Sequence, residues 1–313
     1  MFLLVSVNGV VGPAEAPLLF STDDGAIRVG QFGCSLRADK MFRDIAPATR
    51  NVAAFAGTTG TVSVLELNCV VIEDFAVINS FANLAAAHAE VVRLKLYVDF
   101  DLAGADAAAK RLIALEPGAP ASLRIAASTP KLLGRFDEAL QLNRRAVDLD
   151  PLNAECWESL GETEFFMGQL DKAAADSKKA LELSPDVWFS QGLLSQIYIT
   201  NGRPQDALPE IELVRSDFLR AFLYSMAYYA LGREKESDTA LSELITKYHE
   251  GGAYQIAQVY AFRNQSDEAF EWLDRAYAQR DSGLIGTKVD PLLKSLHKDP
   301  RYAAFLKKLN LPT

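Results

Sequence analysis

The chain has 313 residues, 49% of them hydrophobic and 23% charged, which places it with globular proteins rather than disordered ones. Its formal net charge is −9. An acidic chain with no basic stripe argues against nucleic acid and against anionic membrane surfaces as partners, since both need clustered Lys and Arg. Three cysteines, Cys34, Cys69 and Cys156, are too few and too scattered for a disulfide framework or a zinc knuckle, so a reduced, cytoplasmic setting is expected. No apolar run reaches the ~18 residues of a membrane-spanning helix.

The first 85 residues read as a small β-rich segment, or the remnant of another domain. The apolar start, Met1-Phe-Leu-Leu-Val-Ser-Val-Asn-Gly9, has no preceding Lys or Arg, so a buried strand is expected there rather than a signal peptide. Asp24-Gly25 between two alternating stretches is a hairpin signal, because a tight turn needs positive φ. The phrase from Leu18 to Val29 aligns without gaps with Ala53 to Val64, 35 residues on. The pair resembles hairpins of a WD-repeat propeller. The Trp-Asp and Gly-His marks are missing, however, and two blades cannot close a propeller. A small antiparallel sheet is the expectation.

Beyond residue 85 the spacing becomes helical. Pro117, Pro151 and Pro185 stand 34 residues apart and close similar phrases, Arg111-Leu-Ile-Ala-Leu-Glu-Pro117, Arg145-Ala-Val-Asp-Leu-Asp-Pro151 and Lys179-Ala-Leu-Glu-Leu-Ser-Pro185. A fixed period of this length signals stacked helix pairs. In the unit that begins at Ala154, Trp157 and Leu160 share one helix face, and Gly161 and Ala173 leave room for two helices to cross closely. Gly168 suits the turn between the helices, and Pro185 stops the second.

These residues sit where the tetratricopeptide pattern wants Trp, Leu, Gly, Gly, Ala, Ala (here Ala180) and Pro, and 86–313 resembles that family. Glu164 and Ser177 depart from it, standing where large aromatics are usual. The last third, from Ala253 to Tyr302, is similar to the carboxyl ends of bacterial arrays that follow adenylyl cyclase, kinase or winged-helix output domains. No such output domain is recognisable in 1–85.

The resemblance implies a mainly α fold, an α-solenoid of about six helix pairs with units at 86–119, 120–153, 154–187, 188–217, 218–249 and 250–283, followed by capping helices over 284–313. Pro130 is expected to kink or shorten its helix. It also implies a concave groove lined by the first helix of each unit. The positions that face a ligand in this family fall here on Glu155, Glu158, Glu162, Phe165, Phe166, Phe189, Gln196, Phe222, Met226, Tyr229, Tyr254, Gln258 and Phe262. Arg124 alone cannot form the carboxylate clamp of chaperone-binding members.

Chemistry beyond binding finds little support. His88, His249 and His297 have no neighbour at metal-ligand spacing, and no phosphate-binding loop, nucleophile elbow or dinucleotide fingerprint occurs. Gly57-Thr-Thr-Gly60 reads as a turn, and Cys34 lacks the Arg that a phosphatase loop would need. The expectation is a non-catalytic interaction scaffold without metal or cofactor. Its partner would be a protein or peptide bearing apolar and basic side chains. The alternative is the regulatory or sensory part of a bacterial signalling system whose output lies on another chain.

Overall fold

The structure, a computed structural model, describes residues 85–185 and 188–311 and, by backbone alone, four short strands before them. Strand β1 (Pro17–Ser21) pairs antiparallel with β2 (Ile27–Gln31), Leu19 opposite Val29, and β3 (Ala54–Ala56) with β4 (Ser63–Leu65), Phe55 opposite Val64. Both pairs fall on the two aligned phrases. The rest of 1–84 lies outside the described residues, and so does the reading of that stretch as one sheet or a domain remnant.

The chain divides into two compact units, Met1–Pro117 and Gly118–Thr313. The first ends in the helix pair α1 (Ala85–Tyr97) and α2 (Leu102–Leu115). Asp101 caps α2 by accepting the Gly104 N–H, and Lys95 closes on Asp99 at 2.8 Å and Asp101 at 3.3 Å. In the expected scheme this pair is the array's first unit. By compactness it groups with what precedes it.

The second unit is built from five helix pairs. They are α3 (Pro120–Leu132) with α4 (Phe136–Leu149), α5 (Ala154–Phe166) with α6 (Leu170–Leu183), α7 (Trp188–Thr200) with α8 (Pro204–Leu213), α9 (Asp217–Ala230) with α10 (Glu234–Tyr248), and α11 (Ala253–Phe262) with α12 (Ser266–Gln279). Two 3-10 turns, Ser282–Gly286 and Pro291–Lys298, and a last helix α13 (Pro300–Lys308) follow. Among the described residues no helix is long and apolar enough to cross a membrane.

One turn chemistry repeats through the array. Gly134, Gly168, Gly202 and Gly232 have φ between +70° and +77°, and Asn264 takes the same place with φ 59°. At each, the left-handed residue donates three residues back, and its successor donates five back: Gly168 N–H to Phe165 and Gln169 N–H to Glu164. That satisfies the last carbonyls of the first helix. The successor also begins the next helix, which explains why α4, α6, α8, α10 and α12 start without a side-chain cap. Each instead carries an acidic residue in its first turn, such as Asp171 or Glu234, to meet the helix dipole.

The close crossing read from Gly161 is present. A Cβ there would lie 3.1 Å from both the Ala173 carbonyl oxygen and Ser177 Oγ. Pro130 does not shorten its helix: α3 has 13 residues, as do α5 and α7. It sits so close to the end that its carbonyl is recruited by the closing turn, accepting the Arg135 N–H.

First helices of successive pairs lie side by side, α3 on α5, α5 on α7, α7 on α9 and α9 on α11, with each second helix packed against the next first helix. The core is Ala-rich at the crossings and Leu/Ile-rich between pairs, with Leu123, Leu194, Ile197, Ile211, Leu223, Ile256 and Leu273 essentially without solvent contact.

Candidate functional site

The face formed by α3, α5, α7, α9 and α11 carries the residues that the repeat pattern assigns to a groove. Glu155, Glu158, Glu162, Phe165 and Phe166 come from α5, Phe189 and Gln196 from α7, Phe222, Met226 and Tyr229 from α9, and Tyr254, Gln258 and Phe262 from α11. They do not share one environment. Glu155 keeps 59% of its side-chain surface and Phe189 37% of its residue surface. Glu158, Glu162, Phe166, Gln196, Tyr229 and Phe262 are half-buried, whereas Phe165, Phe222, Met226, Tyr254 and Gln258 are buried.

The three carboxylates of α5 are already engaged. Arg124 and Lys131 of α3 reach across to Glu155 and Glu162, each at 2.5 Å, and Ser190 of α7 donates to Glu158 at 2.7 Å. Burial raises the Glu158 carboxyl above the usual carboxylate range, and the Ser190 hydrogen bond only partly offsets it. Lys131 is buried, and its ammonium also lies 5.4 Å from the centre of the Phe166 ring. Sequence reasoning set Arg124 aside and did not single out Lys131. The signal was available in part, since both lie three residues short of one unit before their partners.

Further along, Tyr229 donates to the Arg263 carbonyl at 3.2 Å and makes an edge-on contact with Phe262. The Arg263 guanidinium is buried, holds Asp238 at 2.8 Å and lies over the Tyr229 ring. At the end of the row, Tyr254 Oη and Gln258 Nε2 both donate to Asp290 Oδ2, at 2.7 and 2.6 Å. Asp290 lies beyond the last helix pair, and its sequence gave no sign of this role.

The departure at Glu164 and Ser177 has a structural counterpart. Both are buried at the α5–α6 crossing, and Glu164 faces Asp176. Burial and the neighbouring Asp176 carboxyl push Glu164 up to about 7, and Asp176 is raised as well, chiefly by burial. The two carboxyls share a proton, with Arg144 and Lys172 near enough to moderate the repulsion. Among the described residues no cluster of three or more His, Cys, Asp or Glu is placed to hold a metal ion.

Residues 154–187, the α5–α6 pair, match the family model described as tetratricopeptide repeat. This pair is a tetratricopeptide repeat. An 81-residue stretch is 32% identical to mouse (Mus musculus) Superkiller complex protein 3, covering 26% of this chain but only 5% of that protein. Solved tetratricopeptide repeat proteins are similar in outline. One from Thermus thermophilus has 15% identity and a TM-score of 0.49 over 62% of this chain and 100% of its own. One from Parabacteroides merdae has 17% identity and a TM-score of 0.45 over 71% of this chain and 92% of its own.

Proposed function

We propose that the chain is a non-catalytic protein-interaction scaffold that docks a partner segment on the open part of this row, around α5 and α7. What supports the reading is the exposure of Glu155 and Phe189, which occupy the same position of consecutive units. A partly exposed aromatic ring at the repeat position that holds an exposed carboxylate in the preceding unit suits a docking patch better than a core. The half-buried rings of Phe166, Tyr229 and Phe262 extend it. A partner presenting an apolar side chain to Phe189 and a basic one to Glu155 fits best, the cation replacing Arg124 at Glu155.

Affinity purification from lysate with the full chain as bait, wild type against Glu155→Lys with Phe189→Ala, tests this. Loss of the same partner from the double variant is expected. Full recovery of every partner would remove the row from consideration.

A further inference from the structure

A terminal cap has only to cover the last pair of an array. The segment after α12 does more. On one side it is fastened to α11: Asp281 Oδ2 accepts the Tyr254 N–H at 3.0 Å, Asp290 accepts from Tyr254 and Gln258, and Ser295 Oγ donates to the Ala261 carbonyl at 2.7 Å. On the other side it meets the end of α3. Val289 Cγ1 lies 3.7 Å from where a Cβ on Gly134 would stand, and Leu132 Cδ2 lies 3.9 Å from where a Cβ on Gly286 would stand.

Leu132 and Gly134 belong to the first pair of this unit, and Tyr254 and Gln258 to the fifth. One short segment therefore touches first helices that are four repeats apart, which capping does not require. The segment is itself buried: Leu284, Ile285 and Thr287 keep at most 2% of their surface. Thr287 is held from behind, its carbonyl accepting the Tyr302 hydroxyl at 2.6 Å.

We propose that Leu284-Ile-Gly-Thr-Lys-Val-Asp290 is a resident ligand of the concave side, and that the seat it fills is a second peptide-docking site, closed until the segment is displaced. The inference rests on the groove reading above and extends it to the opposite end of the row. The seat fixes the chemistry of a displacing partner. The resident segment carries two adjacent aliphatic side chains, a glycine close to Leu132, then Thr287 and Lys288, a valine close to Gly134, and a carboxylate for the Tyr254 hydroxyl and the Gln258 amide. Its anchoring groups are thus aliphatic side chains and a carboxylate, whereas the segment suited to Glu155 is anchored by a cation. A tethered ligand acts at high effective concentration, so an outside segment gains access only in proportion to the open fraction.

The experiment uses the full chain with Cys34, Cys69 and Cys156 replaced by Ala. Gly134→Cys with Val289→Cys should form a disulfide under mild oxidation, because side chains this close lie within disulfide reach. Gly134 has φ +77°, which strains any other residue, so Leu132→Cys with Gly286→Cys serves as the second pair. The probe is a fluorescein-labelled peptide of residues 282–298. It should bind about tenfold or more tightly to Leu284→Asp with Ile285→Asp than to the disulfide-locked chain. Asp290→Asn is the milder release variant if the double Asp variant loses helix content.

Failure of both cysteine pairs to cross-link, or equal peptide binding to locked and released chains (none to either included), overturns the proposal. Neither arm uses an outside partner. Loss of partner capture through Glu155 and Phe189 is therefore read separately, and a failure there leaves this result standing.

Discussion

The two ends of the row of first helices are built from the same repeating helix pairs and finish differently. At α5 and α7 the carboxylates pair sideways with the neighbouring repeat, Arg124 to Glu155 and Lys131 to Glu162, and Glu155 and Phe189 stay open to solvent. At α11 Tyr254 and Gln258, which stand at the repeat positions of Glu158 and Glu162, are buried and bonded to the chain's own Asp290. A repeat frame thus fixes which side chains face inward, but not whether water, a neighbour or a distant segment meets them. That last choice is made by residues outside the repeat.

The sharpest way to break the comparison is at the sealed end. Asp290→Ala removes the acceptor for Tyr254, Gln258 and the Leu292 amide and leaves buried donors without partners, a cost of about 3 kcal/mol. The urea midpoint of the full chain, followed by circular dichroism, reads it; a shift under a third of that size would mean the segment is loosely held.

The Glu164–Asp176 pair gives the next effect. Its folded-state carboxyl is raised, so the native chain holds a proton that the unfolded chain releases, and stability falls as pH rises from about 4.5 to about 7. Glu164→Gln should flatten that part of the stability–pH curve and add on the order of 2 kcal/mol at pH 8. Parallel curves for variant and wild type would contradict the shared proton.

Gly161→Ala places a methyl group against the Ala173 carbonyl and Ser177 and should cost roughly 1–2 kcal/mol by thermal melting, whereas a neutral result would show that α5 and α6 can separate freely. Smallest of all, Glu155→Ala at the open end should change stability by less than about 0.5 kcal/mol, since an exposed ion pair contributes little. It should nevertheless weaken partner capture. A large loss of stability would move Glu155 from the docking patch to the framework.

Much of this fold was legible in the sequence because it depends on local chemistry. Gly168 announced the left-handed turn that Gly134, Gly202 and Gly232 repeat, and Gly161 with Ala173 announced the crossing, because each answers a steric demand within a few residues. Asn264 filled the same turn without the glycine mark, since Asn tolerates positive φ through its short polar side chain. The inter-repeat pairs Arg124–Glu155 and Lys131–Glu162 depend on how one unit is rotated against the next, which a position list does not carry. The odd residues at 164 and 177 were visible, but their meaning was not, because Asp176 became a partner only through packing. Least legible was the contact of Val289 with Gly134, which follows from the summed geometry of five pairs.

Single cysteines placed at Glu155, Phe189, Met226 and Gln258 in a chain otherwise free of cysteine would test the central contrast directly through their rates of thiol labelling. Open positions react at the intrinsic rate and sealed ones only through opening, so labelling at 226 and 258 should be slower than at 155 and 189 by about a hundredfold or more. Four similar rates would contradict a row of first helices that is open at one end and closed by its own chain at the other.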